Sequence, residues 1–158
     1  MGWIFRNAWI LLLGLTFVNA LLIWSQSKKE ILLRPELEGG YRRLLRGFVI
    51  YQSVPWIVMG VGSVFGGVPT FFHYFNPRNG PFVVAFYVAT ALISLVLCYW
   101  VIFRGGGEEL LRHPGFINLS VDKAWVLKAV AILAVASEVV AFTTMLFLDV
   151  QVPKFVQD

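Results

Sequence analysis

Cysteine occurs once in the 158 residues, as Cys98, and histidine twice, as His73 and His113. A lone thiol excludes an internal disulfide, a Cys-x-x-Cys redox pair and a cysteine metal cluster. Charge is scarce as well: 14% of the residues are Asp, Glu, Lys or Arg, against about 25% in soluble proteins. The chain contains no Gly-x-Ser-x-Gly, no His-Glu-x-x-His, no phosphate loop ending in Gly-Lys-Ser/Thr, no Asp-rich metal motif and no internal repeat. Glu109 and His113 stand four apart, yet two ligands without a third do not make a metal site. The expectation is a protein that is not an enzyme and holds neither metal nor cofactor.

What the chain has instead is apolar surface. Hydrophobic residues make up 58% and the mean hydropathy is +0.74. A helix needs about 20 mainly apolar residues to cross a hydrocarbon core of roughly 30 Å, and four windows qualify: 4–24, 47–68, 81–103 and 124–148. Each is apolar round its whole circumference rather than alternating, which is the pattern of a membrane helix and not of a barrel strand. The fold class predicted is all-α: an integral membrane four-helix bundle, multi-pass, forming one transmembrane domain over residues 1–158. Val18, Asn19 and Ala20 offer a signal-peptidase-like site, but the apolar run continues through Trp24 and the positive charge follows it. The first window is therefore read as a retained span.

Lys and Arg set the orientation. Connection 25–46 holds Lys28, Lys29, Arg34, Arg42, Arg43 and Arg46, and connection 104–123 holds Arg104, Arg112 and Lys123, whereas Arg6, Arg78 and Lys154 stand on the other side. Both connections are expected to face the cytoplasm, with the termini and the turn 69–80 outward. The pI near 9.5 is then a topology signal. It implies contact with anionic lipid headgroups at the Arg-rich connection and no nucleic-acid partner. A plasma, inner or thylakoid-type membrane would fit.

One acid breaks the apolar pattern. Glu138 lies near the middle of the fourth window, where an ionised carboxylate costs at least about 2.5 kcal/mol. It is expected to be uncharged or paired, with Asn19, Gln52, Thr90 and Ser94 as possible hydrogen-bond partners. Its helical face carries Ala134 and Ala141, small enough for close approach by another helix. The second window offers the matching small-xxx-small pairs Gly62 with Gly66 and Ser63 with Gly67, so the second and fourth spans are predicted to pack together. Pro55 is expected to bend the second span. Phe71, Phe72, Tyr74 and Phe75 in the outward turn suit an interfacial aromatic belt, and His73 among them is a candidate axial ligand. The stretch from Gly105 to Gly115 reads as a glycine joint followed by a turn or two of surface helix, with Glu109 and His113 in solvent.

These features favour a protein that works by helix packing and association, as an accessory or structural subunit or an assembly factor, in a homo- or hetero-oligomer with other membrane proteins. Two alternatives stand beside it. One is a small oligomeric proton- or ion-coupled transporter or channel using Glu138. The other is a cofactor-binding membrane protein using His73.

Overall fold

In the computed structural model the described residues are 2–117 and 121–148, and they form helices and no strand. A short α1 (Gly2–Arg6) precedes α2 (Ala8–Leu33), α3 (Glu38–Val64), α4 (Pro81–Phe103), a short α5 (Gly106–Arg112) and α6 (Ala124–Phe147). α2, α3 with its lead-in turn, α4 and α6 are each long and apolar enough to cross a membrane by length and composition. The third predicted window matches α4 at both ends, and the fourth ends one residue beyond α6. Pro81 explains the sharp start of α4, since proline at the first helical position surrenders only a donor that has no partner there.

The first two windows need correction. α2 continues to Leu33 and α3 begins at Glu38, so connection 25–46 is mostly helix, broken only around the tight turn Pro35–Leu37. Hydropathy finds the apolar part of a helix and not its polar extension. Here the extension carries Arg34 to Glu30 and Arg42 to Glu38, both at 2.7 Å across one helical turn, and Glu38 lies in the first turn of α3, where the helix dipole favours an acid. At its other end α3 stops at Val64, short of Gly66 and Gly67. α3 also runs through Pro55, which is buried, without ending there.

The long helices pack mainly in chain order, α2 on α3, α3 on α4 and α4 on α6. α6 thus lies against α4, and the predicted packing of the second span on the fourth is not the arrangement found. More than three times as many large apolar side chains are exposed as buried among the described residues. In water such a surface would drive aggregation. In a bilayer it is the solvated state, because lipid tails are as apolar as leucine, and this pattern is consistent with an integral membrane protein.

The core gathers at one end, called here the aromatic end, where α2 and α4 begin and α3 and α6 finish. Met59, Val68, Tyr74, Val83 and Tyr87 are buried there, and Trp9, Trp56 and Phe142 pack around them. Tyr74, in the turn Phe71–Phe75, donates to the Met59 carbonyl at 2.8 Å, and Tyr87 donates to the Tyr74 carbonyl at 2.9 Å. Arg78 reaches across to the Leu146 carbonyl at 3.1 Å, near the last turn of α6, where free carbonyls need donors. The opposite, basic end holds ten of the thirteen Lys and Arg residues and six of the nine acids.

Candidate functional site

α6 meets α4 along Leu127, Ala131, Val135, Glu138, Phe142 and Met145, a spacing of three and four that keeps one stripe of a helix facing its neighbour. Leu127 is buried and the others are half-buried. The stripe is anchored where the Tyr87 ring packs edge-on against Phe142, centroids 4.5 Å apart, and the Tyr87 hydroxyl lies 2.9 Å from the Met145 sulfur. Glu138 is one turn further from that end, level with residues 90–94 of α4 in the antiparallel register. Its Oε1 is enclosed and has no hydrogen-bond partner.

None of the four expected partners answers it. Thr90 donates to the Phe86 carbonyl of its own helix at 2.8 Å. Ser94 is half-buried on α4 at the matching level but makes no bond to the carboxyl. Asn19 is exposed on α2, and Gln52 is exposed on α3. An enclosed carboxyl oxygen without a partner forgoes roughly 1–3 kcal/mol of hydrogen bonding.

Beside the stripe runs a second one that no described residue covers. Ala134, Ser137, Ala141 and Thr144, also three and four apart, are exposed, and at about 100° per residue they occupy the sector of α6 next to Glu138. The Thr144 hydroxyl turns back to the Val140 carbonyl at 2.7 Å, leaving a surface of small groups. Ala134 and Ala141 therefore face outward and do not meet α3.

The glycines expected opposite them serve another contact. A Cβ on Gly62 would collide with the Tyr74 hydroxyl and stand 3.0 Å from Phe82 Cβ, and one on Gly66 would strike the Phe82 ring. Gly66 and Gly67 lie past the end of α3, and Ser63 is half-buried near it. Gly62 and Gly66 thus make room for the aromatic turn and the start of α4.

The two histidines lie at opposite ends of α4, whose 23 residues span about 35 Å, so they cannot bracket one haem-sized group. His73 Nδ1 is 2.9 Å from the Thr70 hydroxyl, and its carbonyl accepts from Asn79 at 2.8 Å, which ties the aromatic turn together. His113 departs from the expectation of a solvated residue. It is 3% exposed, with its ring over Gly40 and edge-on to Tyr41 at 4.8 Å. Nδ1 lies 2.7 Å from the Glu109 carbonyl, which only accepts, so Nδ1 carries the hydrogen, and the enclosed Nε2 has no hydrogen-bond partner among the described residues. Tyr41 donates to the Pro114 carbonyl at 2.7 Å, fastening the segment after α5 to the start of α3. Gly105, at φ +75°, turns the chain out of α4 into α5, and Gly106 fits beneath the Trp100 ring.

Electrostatics reinforce the same end. Lys128 of α6 reaches Glu108 of α5 at 2.8 Å, and this ion pair holds the Glu108 carboxyl below its ordinary range. Arg43 of α3 reaches Glu109 at 2.9 Å. Among the described residues no group of three His, Cys, Asp or Glu could hold a metal ion. No protein family, curated protein or solved structure matches the chain.

Proposed function

We propose that this is a small multi-pass membrane protein that acts by association, an accessory subunit or assembly factor whose α6 docks on a helix of a larger membrane complex. The observation that carries this reading is Glu138: a mid-span carboxyl whose enclosed oxygen has no hydrogen-bond partner among the described residues, next to an open strip of small residues. Among the described residues, none of the 18-residue apolar stretch of α6 is buried, against 28% of that of α3. Helices in lipid associate through close packing of small residues and through interhelical hydrogen bonds. A partner helix seated on Ala134, Ser137 and Ala141 would bring its own donor to Glu138. The basic end would face the cytoplasm and interfacial anionic lipid, with both termini on the other side, as the Lys and Arg distribution favours.

The test is native mass spectrometry of the protein extracted gently from its own membranes, with photo-crosslinking from position 137. A discrete hetero-complex, crosslinked at 137 and lost in Glu138→Leu but kept in Glu138→Gln, is the expected result, since glutamine preserves a polar end group of the same shape. A colourless monomer with no crosslink from 137 would refute the reading. The transport alternative draws on the weakly polar row Thr90, Ser94 and Cys98 level with and below Glu138. It predicts pH-dependent flux that Glu138→Gln abolishes while the assembly state stays unchanged.

A further inference from the structure

Between α3 and α4 at the basic end lies a cleft of about 780 Å³, within the range of roughly 300–1,000 Å³ typical of sites for small ligands. Its mouth carries Arg43 and Arg104, with Glu109 as the single acid among the described lining residues, already engaged by Arg43 at 2.9 Å. The mouth therefore holds one net positive charge. Inward from it the walls are mainly apolar, with Phe48 on α3 and Val96 and Leu97 on α4 and with Gln52 at the far end of the α3 wall, and Phe116 closes the cleft near the basic end against Phe48. From Arg43 to Gln52 the α3 wall runs along the span for about 13 Å.

Gly47 on that wall adds an independent clue. Glycine weakens a helix interior, and where it is needed for packing a neighbouring ring fills the space, as Trp100 does at Gly106. A Cβ on Gly47 would meet no atom within 4 Å, so no described residue requires glycine there. The space it leaves opens into the cleft.

We infer that this cleft binds one anionic glycerophospholipid, its phosphate at Arg43 and Arg104 and one acyl chain along the Gly47 wall. Charge at the headgroup level above an apolar slot matches an amphiphile with an anionic head, and arginine's fork suits phosphate oxygens. The inference rests on the membrane reading and is independent of docking through α6.

The experiment is native mass spectrometry of the detergent-purified full chain titrated with dioleoyl phosphatidylglycerol or dioleoyl phosphatidylcholine, after confirming that it stays in alkali-washed membranes. One phosphatidylglycerol is expected to be retained in preference to phosphatidylcholine. Arg104→Gln should lower that preference about five-fold, which corresponds to about 1 kcal/mol per basic residue at an anionic surface. Gly47→Leu should abolish retention of either lipid with helicity kept and the melting temperature not lowered, and glycerol 3-phosphate should not displace the bound lipid. Equal retention of the two lipids, displacement by glycerol 3-phosphate, or an Arg104→Gln variant with unaltered preference would overturn the site. Loss from alkali-washed membranes would instead overturn the membrane reading itself.

Discussion

Gly39 and Gly40 are neighbours in the first turn of α3, and replacing each by alanine should move stability in opposite directions. A Cβ on Gly39 meets nothing within 4 Å, whereas one on Gly40 would overlap His113 Nε2 and stand 3.0 Å from Cδ2. The ring has no room to retreat, because His113 is 3% exposed and fixed through Nδ1. In Gly40→Ala it must leave. The variant then forfeits the hydrogen bond to the Glu109 carbonyl, about 0.5–1.5 kcal/mol, and the edge contact with Tyr41, about 0.5–1.5 kcal/mol. Alanine returns roughly 0.5–1 kcal/mol of helix propensity. The net expectation is a loss of up to about 2.5 kcal/mol, centred near about 1 kcal/mol, for Gly40→Ala and a gain of up to about 1 kcal/mol for Gly39→Ala.

The assay is thermal unfolding in detergent, combined with hydrogen exchange of the peptide covering residues 113–117. That peptide should exchange faster in Gly40→Ala and unchanged in Gly39→Ala. In a His113→Ala background the cost of Gly40→Ala should vanish, because the two changes share one contact and cannot add. Equal stability of the two single variants, or a Gly40→Ala penalty that persists without the imidazole, would refute the docking of His113 on α3.

Tyr74→Phe removes the hydroxyl's hydrogen bond to the Met59 carbonyl, which keeps its partner within the helix, so the change should cost about 0.5–1.5 kcal/mol and appear as a lowered melting temperature with the helical content kept. The Glu108 carboxyl is held below its ordinary range by Lys128, so its contribution to docking α5 on α6 is complete above that range and is lost as the pH falls from it through the lowered value. Hydrogen exchange in α5 should therefore quicken on acidification, should already be partly quickened by high salt because the pair is exposed, and should lose its pH response in Glu108→Gln.

The spans were readable because the requirement for crossing a membrane is local: about 20 apolar residues in a row. α4 was read to the residue because Gly80 and Pro81 mark its start and Arg104 its end. α2 and α3 were read too short because their polar turns are helices held by ion pairs, to which hydropathy is blind. The direction of the glycine contacts was not readable either. Gly62 looks the same in sequence whether α6 or Tyr74 fills the space beside it, and only the aromatic turn folding back over the end of α3 decides between them.

Composition and charge by themselves determined an all-helical chain with four segments fit for a membrane, one mid-span acid and a basic end. Tertiary structure alone decided which helices touch, because in lipid a side chain facing a neighbour and one facing the solvent are equally apolar and leave no periodic mark. It also decided that His113 is buried, through a contact between the start of α3 and the segment after α5, seventy-three residues apart at Tyr41 and Pro114. And it decided that Glu138 faces α4 without a donor, since whether a polar group finds its partner depends on the register of two helices and not on the composition of either.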